Sequence, residues 1–271
     1  MRKTLRTLTL LGALTVALAA TACSSADETP AAPAPRPYPA EPNVLLVHGA
    51  FADGSSWGAV AEQLQRRGFR VTIAAVPLRG LDYDSAYLRG LLDAMPGKTL
   101  LVGHSYGGAV ITNAATGSRN AAGLVYVAAF APDQGESLGE LDARYGGPAT
   151  KITVPHQISG VAAPELSIVA EEFPEYFAQD VAPARAAVLA AGQRPISVTA
   201  FAEQTRDPAW RTLPSWYLVA ADDRMIPAAG QRAMAARAGS TVTEHAGSHA
   251  LAVSQPEAVV AVIEQAAAST R

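Results

Sequence analysis

The chain has 271 residues, of which 49% are hydrophobic and 17% are charged, and its formal net charge is −3. This length and composition suit one large α/β domain with a buried core. The sequence has no basic cluster interleaved with aromatic residues, no glycine-rich phosphate loop and no Cys/His set at metal-ligand spacing. These features argue against a nucleic-acid partner and a metal, and we expect no cofactor.

Residues 1–23 have the pattern of a signal peptide. Arg2, Lys3 and Arg6 form a positive region, and residues 8–20 form an apolar stretch too short for a comfortable membrane span. Small residues before a cleavage point suit ordinary secretion. Because the only cysteine, Cys23, follows them directly, we favour a lipoprotein signal with lipidation at Cys23. The sequence therefore predicts an extracytoplasmic protein, anchored at the cell surface by lipid or else freely secreted.

The next segment, residues 24–42, is rich in proline and alanine. Such a composition cannot bury a core and favours extended polyproline II structure. We interpret it as a semi-rigid spacer, and we place the folded domain at residues 43–271.

The folded domain is predicted to alternate strands and helices. The predicted strands are 44–47, 70–76, 98–102, 123–130, 216–220 and 241–245, and the predicted helices are 57–67, 85–95, 108–115, 231–237 and 257–268. This alternation indicates an α/β fold with a mostly parallel central sheet flanked by helices. Residues 133–213 break the alternation and are predicted to form a small helical cap over the active site.

The sequence Gly-His-Ser-Tyr-Gly at residues 103–107 lies between a predicted strand and a predicted helix. A strand, then G-x-S-x-G, then a helix is the sequence form of a nucleophile elbow. The tight turn predicts a strained backbone at Ser105, whose hydroxyl would project from the carboxyl edge of the sheet. Ser105 is therefore the candidate nucleophile.

The candidate acid and base follow the last two predicted strands. Asp222 and Asp223 end the strand at 216–220, and we prefer Asp223 for its spacing from Pro227, with Asp222 as a solvated neighbour or turn former. His249 lies on a loop and fits the general base, whereas His245 ends a strand and is expected to face solvent or a neighbouring strand. The resulting order Ser, Asp, His is typical of one class of serine hydrolase.

Four segments of the chain support a family assignment. They are V-L-L-V-H-G-A-F-A-D-G-S-S-W, V-G-H-S-Y-G-G-A-V-I-T, L-V-Y-V-A-A-F-A-P-D-Q-G-E-S and P-S-W-Y-L-V-A-A-D-D-R-M-I. Over about residues 42–268 the chain resembles the α/β-hydrolase superfamily, in a bacterial esterase-like branch similar to plant methylesterases and hydroxynitrile lyases. The resemblance implies a triad of Ser105, Asp223 and His249. It also implies an oxyanion hole formed by the backbone amides of Ala50 and Tyr106, with Phe51 as the alternative to Ala50.

The resemblance does not settle a substrate, because this fold supports many chemistries. From the triad and the N-terminal signal together we predict an exported serine hydrolase that cleaves small carboxylic esters through an acyl-enzyme intermediate. Hydroxynitrile lyases carry a lysine just after the catalytic histidine, and Ala250 at that place favours ester hydrolysis. Perhydrolase, amidase or lyase chemistry on the same fold is one alternative, and a non-catalytic surface lipoprotein that binds a ligand is the other. The candidate pocket residues are Phe51, Phe130, Phe173 and Tyr176. His48 is expected to order the loop after the first strand.

Overall fold

A computed structural model describes residues 42–270 of the chain. The predicted signal peptide, the lipidation site at Cys23 and the predicted spacer up to residue 41 lie outside the described residues. Within the described part, no helix is both long enough and apolar enough to cross a membrane.

The first half of the domain alternates strands and helices as the sequence predicts. In chain order its elements are β1 (Asn43–Val47), α1 (Gly58–Arg66), β2 (Val71–Ala74), α2 (Leu81–Ala94), β3 (Thr99–His104), α3 (Tyr106–Ala114) and β4 (Ala121–Val127). A short 3₁₀ helix, Gly54–Trp57, precedes α1.

The cap region and the final part of the domain follow β4. The cap contains α4 (Leu138–Tyr145), α5 (Ala149–Ile152), β5 (Thr153–His156), β6 (Glu165–Ile168), α6 (Phe173–Tyr176), α7 (Pro183–Ala191), β7 (Ile196–Ser197), α8 (Val198–Ala202) and a 3₁₀ turn at Ala209–Arg211. The chain then forms β8 (Ser215–Ala220), α9 (Ala228–Arg237), β9 (Thr241–His245), α10 (Leu251–Ser254) and α11 (Pro256–Ser269).

The central sheet has six strands in the order β2-β1-β3-β4-β8-β9, and every neighbouring pair is parallel. This arrangement confirms the predicted α/β fold with a parallel central sheet. Because all strands run the same way, the loops after β1, β3, β8 and β9 leave from one edge of the sheet. The carboxyl ends of parallel strands are where such folds place their sites.

The hydrophobic core has two layers, one on each face of the sheet. Leu45 and Val47 of β1 belong to the layer covered by α2, α3 and α9, whereas Val44 and Leu46 belong to the layer covered by α1 and α11. All four side chains are fully buried. Burying one such aliphatic side chain contributes about 1.5–3 kcal/mol, which explains why β1 is a continuous apolar run.

Several element boundaries differ from the prediction by a few residues, and two of these differences have a clear cause. Helix α2 begins at Leu81, whereas the sequence pattern predicts a start at residue 85. The pattern missed the first turn because this turn includes the exposed Tyr83 and lacks a regular apolar spacing. Strand β4 ends at Val127, before residue 130, because Ala128 adopts a left-handed backbone with φ of 44°. The chain therefore turns, and the Phe130 N–H donates to the Ser105 carbonyl oxygen at 3.1 Å.

The cap is less helical than the sequence predicts. Its strands β5, β6 and β7 form a three-stranded antiparallel sheet beside the cap helices. These strands are only two to four residues long, and β7 has two. Segments this short leave no readable alternation, so the sequence pattern could not reveal them.

Asp142 on α4 provides a test of how a buried carboxyl affects stability. Burial raises the pKa of this carboxyl to about 6, above the value of about 3.9 for an unfolded chain. The protonated form therefore stabilises the fold below about pH 4, and this contribution is lost as the pH rises through about 6. We expect the stability of Asp142→Asn, relative to wild type, to increase by about 1–2 kcal/mol between pH 4 and pH 7.5.

Urea unfolding of both proteins at the two pH values measures this change. The difference between the two proteins cancels the titration of every other group. A difference that does not vary with pH would contradict the assignment.

Candidate active site

Ser105 occupies a tight turn between β3 and α3. Its backbone has φ of 53° and ψ of −123°, a strained conformation for a residue with a side chain, as the sequence predicts. The flanking glycines allow this turn. A Cβ atom on Gly103 would lie 2.5 Å from the Gly107 carbonyl oxygen, and one on Gly107 would lie 2.4 Å from the Val47 carbonyl oxygen.

Two backbone amides beside Ser105 are available to an oxyanion. Across residues 42–270, neither the Ala50 N–H nor the Tyr106 N–H donates a hydrogen bond. By contrast, the Phe51 N–H donates to the Arg194 carbonyl oxygen at 3.1 Å. The geometry therefore favours Ala50 over Phe51 as the second donor. Tyr106 begins α3, so its amide also carries the positive end of the helix dipole.

The Tyr106 side chain holds the Tyr106 backbone amide in position. Its hydroxyl donates to Asp84 Oδ2 at 2.7 Å, and both residues are almost completely buried. Burial raises the pKa of the Tyr106 hydroxyl well above its usual range and also raises the pKa of the Asp84 carboxyl. Helix α2 thus fixes the first residue of α3, a contact that the sequence did not reveal because the two residues lie far apart in the chain.

Asp223 and His249 meet at the carboxyl edge of the sheet. His249 Nδ1–H donates to Asp223 Oδ2 at 2.8 Å, and both side chains are buried. This contact fixes the tautomer in which Nδ1 carries the proton and Nε2 is free to accept one. In the described part of the chain, no hydrogen bond joins His249 Nε2 to Ser105 Oγ. Catalytic hydrogen bonds of this kind often tighten only when substrate is bound.

Gln231 holds the Asp223 carboxylate in place. Its Nε2 donates to Asp223 Oδ2 at 2.7 Å, and the Met225 and Ile226 amides donate to Oδ1 at 2.8 and 2.9 Å. Gln231 is fully buried on the first turns of α9. The sequence analysis missed it because a lone glutamine at a helix start carries no signal of its partner.

His104, the residue before the nucleophile, holds the loop of the base. Its Nε2–H donates to the His249 carbonyl oxygen at 2.8 Å, and the two imidazole rings lie 4.6 Å apart between centroids. Burial, followed by the repulsion of His249, holds the pKa of His104 well below its usual range. His104 is therefore a neutral donor. The sequence did not indicate this role.

The other polar residues near these candidates make contacts of their own. His245 is half-buried at the end of β9, and its Nδ1 lies 2.6 Å from the carbonyl oxygen of Ala246. Asp222 is exposed, and its Oδ2 accepts the Gly247 N–H at 3.0 Å.

His48 is buried, with Nδ1 3.0 Å from the Gly49 carbonyl oxygen and Nε2 accepting the Val76 N–H at 3.1 Å. Burial lowers the pKa of His48, so it orders its loop as a neutral ring, as predicted.

The cap segment 177–180 bonds directly to the loops of the acid and the base. The Phe177 carbonyl oxygen accepts the Ala250 N–H at 3.0 Å, and Asp180 Oδ2 accepts the Ser248 N–H at 2.9 Å. Gln179 Nε2 donates to the Asp222 carbonyl oxygen at 2.6 Å. The Phe177 ring also meets the His249 imidazole edge to face at 4.8 Å.

An apolar cavity of about 130 Å³ lies between the cap and the loop after β1. Of the four predicted pocket residues, Phe51 and Phe173 line it. Phe130 and Tyr176 do not line it, although all four residues belong to the same core layer or pack against it. The further lining residues include His104, Phe177, Arg185, Val188, Leu189 and Ala250.

The site offers groups for acyl transfer. It has a strained hydroxyl, a histidine oriented by a carboxylate, and two amides for a developing negative charge. Between residues 42 and 270, no three His, Cys, Asp or Glu side chains are grouped so as to hold a metal ion. The expectation that the reaction needs no cofactor stays a prediction.

Comparison with known proteins agrees with this geometry. A family model described as the alpha/beta hydrolase family matches residues 44–262. A carbendazim hydrolyzing esterase of Nocardioides is 37% identical over 109 residues, which cover 35% of this chain and 45% of that protein. The chain therefore matches less than half the length of that relative. The alpha/beta hydrolase nvfD of Aspergillus novofumigatus is 31% identical over 180 residues, covering 62% of this chain and 69% of that protein.

Solved structures show the same fold. A pyrethroid hydrolase from Sphingobium faniae superposes with a TM-score of 0.69 at 22% identity, over 84% of this chain and 98% of that one. A methylesterase from Arabidopsis superposes with a TM-score of 0.70 at 20% identity, over 84% and 99% of the two chains.

Proposed function

Because the chain belongs to the alpha/beta hydrolase family, we propose that it cleaves small carboxylic esters through an acyl-enzyme formed on Ser105. One observation carries the proposal: the 2.8 Å contact between His249 Nδ1 and Asp223 Oδ2 at the sheet edge where the Ser105 elbow lies. The names of the relatives, an esterase and a pyrethroid hydrolase, support the ester class.

The first half of the proposed reaction forms the acyl-enzyme. Ser105 Oγ attacks the carbonyl carbon of the ester, and its proton passes to His249 Nε2. The electron pair of the C=O bond moves onto the oxygen, which accepts hydrogen bonds from the Ala50 and Tyr106 amides. When this intermediate collapses, the C–O bond to the alcohol breaks and His249 gives its proton to the departing oxygen.

The second half releases the acid. Water replaces the alcohol, His249 Nε2 takes one of its protons, and the resulting oxygen attacks the acyl carbon. Collapse of the second intermediate breaks the bond to Ser105 Oγ, which recovers the proton from His249. Asp223 stays hydrogen-bonded to Nδ1 throughout and stabilises the imidazolium.

We also propose that the enzyme works outside the cytoplasm. The support is the sequence of residues 1–23, which ends at Cys23, and the proline-rich spacer that follows. In this proposal Cys23 carries a lipid that tethers the domain at the cell surface.

A fluorophosphonate probe tests the proposed nucleophile. We expect the wild-type domain to be labelled and Ser105→Ala to remain unlabelled, because the probe bonds only to an activated hydroxyl. Circular dichroism on both proteins verifies the fold. An unlabelled but folded wild type, or equal labelling of Ser105→Ala, would contradict the proposal and favour a non-catalytic ligand-binding protein.

A further inference from the structure

Helix α7 turns one face toward the apolar cavity. Arg185, Val188, Leu189 and the C-capping Gly192 all line the cavity. Their spacing of three, four and seven residues from Arg185 places them on one side of the helix. The cavity is therefore bounded on this side by two apolar side chains and one guanidinium.

The lining residues divide into a buried floor and an exposed rim. Phe51, His104 and Phe177 at the floor are almost completely buried, and His104 belongs to the nucleophile elbow. At the rim Arg185 is exposed, and Val188 is 59% exposed. Ser105 and His249 do not line this cavity, but His104 and Ala250, which do, are their neighbours in the chain. A substrate whose ester reaches Ser105 would thus lie along the apolar floor and reach Arg185 at the rim.

The Arg185 side chain is unpaired among the residues that the structure describes. In the part of the chain that the structure describes, its guanidinium makes no ion pair and no hydrogen bond. Ten other arginines of this part form salt bridges. The charge at the cavity rim is therefore available to a ligand.

The carboxylate of Asp53 also lines this cavity but is hydrogen-bonded elsewhere. Its Oδ1 accepts the Ser55 N–H at 2.8 Å and so caps the 3₁₀ helix that precedes α1. The hydrogen bond to Ser55 is the main cause of its lowered pKa. Asp53 therefore works as a local cap, whereas the Arg185 guanidinium makes no polar contact within residues 42–270.

The size of the cavity limits what lies between the ester and Arg185. A volume of about 130 Å³ is close to that of an apolar protein cavity of about 150 Å³ that holds benzene. A single ring or a short alkyl chain fills such a space. A group attached to the far end of that ring or chain would stand at the rim.

We infer that the preferred ester substrates carry a carboxylate at the far end of a short alkyl chain or single ring, where Arg185 binds it. This inference rests on the proposed ester hydrolysis. A guanidinium suits the task because it offers two parallel N–H donors to a carboxylate.

The test compares anionic and neutral esters of matched shape. One pair varies the acyl part: p-nitrophenyl hemiglutarate against p-nitrophenyl valerate. The other pair varies the alcohol part: para-acetoxybenzoate against para-tolyl acetate. We expect Arg185→Gln to lower the anionic-to-neutral ratio of kcat/KM about three- to fivefold in at least one pair, since an exposed ion pair contributes modestly. Added salt should reduce the wild-type ratio in the same pair.

Arg119→Gln is the matched control. Arg119 is also exposed, but it lies just before β4 begins, at the opposite edge of the sheet from Ser105. The variant removes the same charge but far from the cavity. It should therefore leave the anionic-to-neutral ratio and the turnover of all four esters unchanged. A fall equal to that of Arg185→Gln would show a general effect of net charge and would overturn the inference.

The remaining outcomes separate the inference from the proposed function. Ester turnover that depends on Ser105 but a ratio that Arg185→Gln leaves unchanged in both pairs would overturn the inference alone. If no ester is cleaved, the proposed function fails, and calorimetric binding of para-acetoxybenzoate to Ser105→Ala decides the inference. Arg185→Gln in that background should then weaken binding about three- to fivefold, and an unchanged Kd would overturn it.

Discussion

Replacing His249 by alanine is expected to lower kcat/KM for a short p-nitrophenyl ester by about 10⁴-fold or more. In the proposed mechanism the imidazole, held by Asp223 through Nδ1, takes the proton from Ser105. Without it the hydroxyl stays protonated, and only the oxyanion amides and substrate binding remain to accelerate the reaction. Steady-state kinetics with the purified domain measures the loss.

His245→Ala is the matched control for this variant. His245 lies four residues before His249 and is half-buried. Its Nδ1 lies 2.6 Å from the carbonyl oxygen of Ala246. We expect less than about a threefold change in kcat/KM, as for a substitution outside the reacting groups. A large loss at His245 with activity retained at His249 would reassign the base.

Asp223→Asn is expected to lower kcat by about 10³–10⁴-fold with little change in KM. The carboxylate accepts four hydrogen bonds, from the Met225 and Ile226 amides, from Gln231 and from His249. An amide has one oxygen and two N–H donors, so it cannot accept all four. The asparagine NH₂ group must therefore face at least one of these four donors. Where it faces His249 Nδ1, the His249 tautomer is no longer fixed.

Asp222→Asn separates this effect from a change in local charge. The exposed Asp222 side chain accepts the Gly247 N–H, and an asparagine oxygen can keep that bond. We expect less than about a threefold loss of kcat. Equal losses in both variants would mean that the acidic pair acts through its net charge rather than through the Asp223 contact.

The sequence was informative wherever function depends on a short segment. The elbow at Ser105 could be predicted because the tight turn needs glycines at fixed spacing, and those glycines are visible in the chain. The strand before each candidate could be predicted because a buried parallel strand is a continuous apolar run. Asp223 and His249 followed as the polar residues after the last two strands, and the structure places them in contact.

The supporting contacts could not be predicted because they join distant parts of the chain. Gln231 reaches Asp223 from a separate helix, and Asp84 reaches Tyr106 from α2. The cavity lining was only partly foreseen for the same reason. Phe130 and Tyr176 are aromatic like Phe51 and Phe173, and only tertiary packing decides which of them faces the cavity.

The bonds from segment 177–180 to the catalytic loops have a consequence for protein engineering. Because the cap lines the apolar cavity, exchanging it for the cap of a relative is one way to change the cavity. Here Phe177 and Asp180 hold the loop of His249, and Gln179 holds the loop of Asp223. A transplanted cap that replaced these residues would alter the alignment of the base together with the pocket. A productive chimera would therefore keep the native segment and exchange only the cap residues around it.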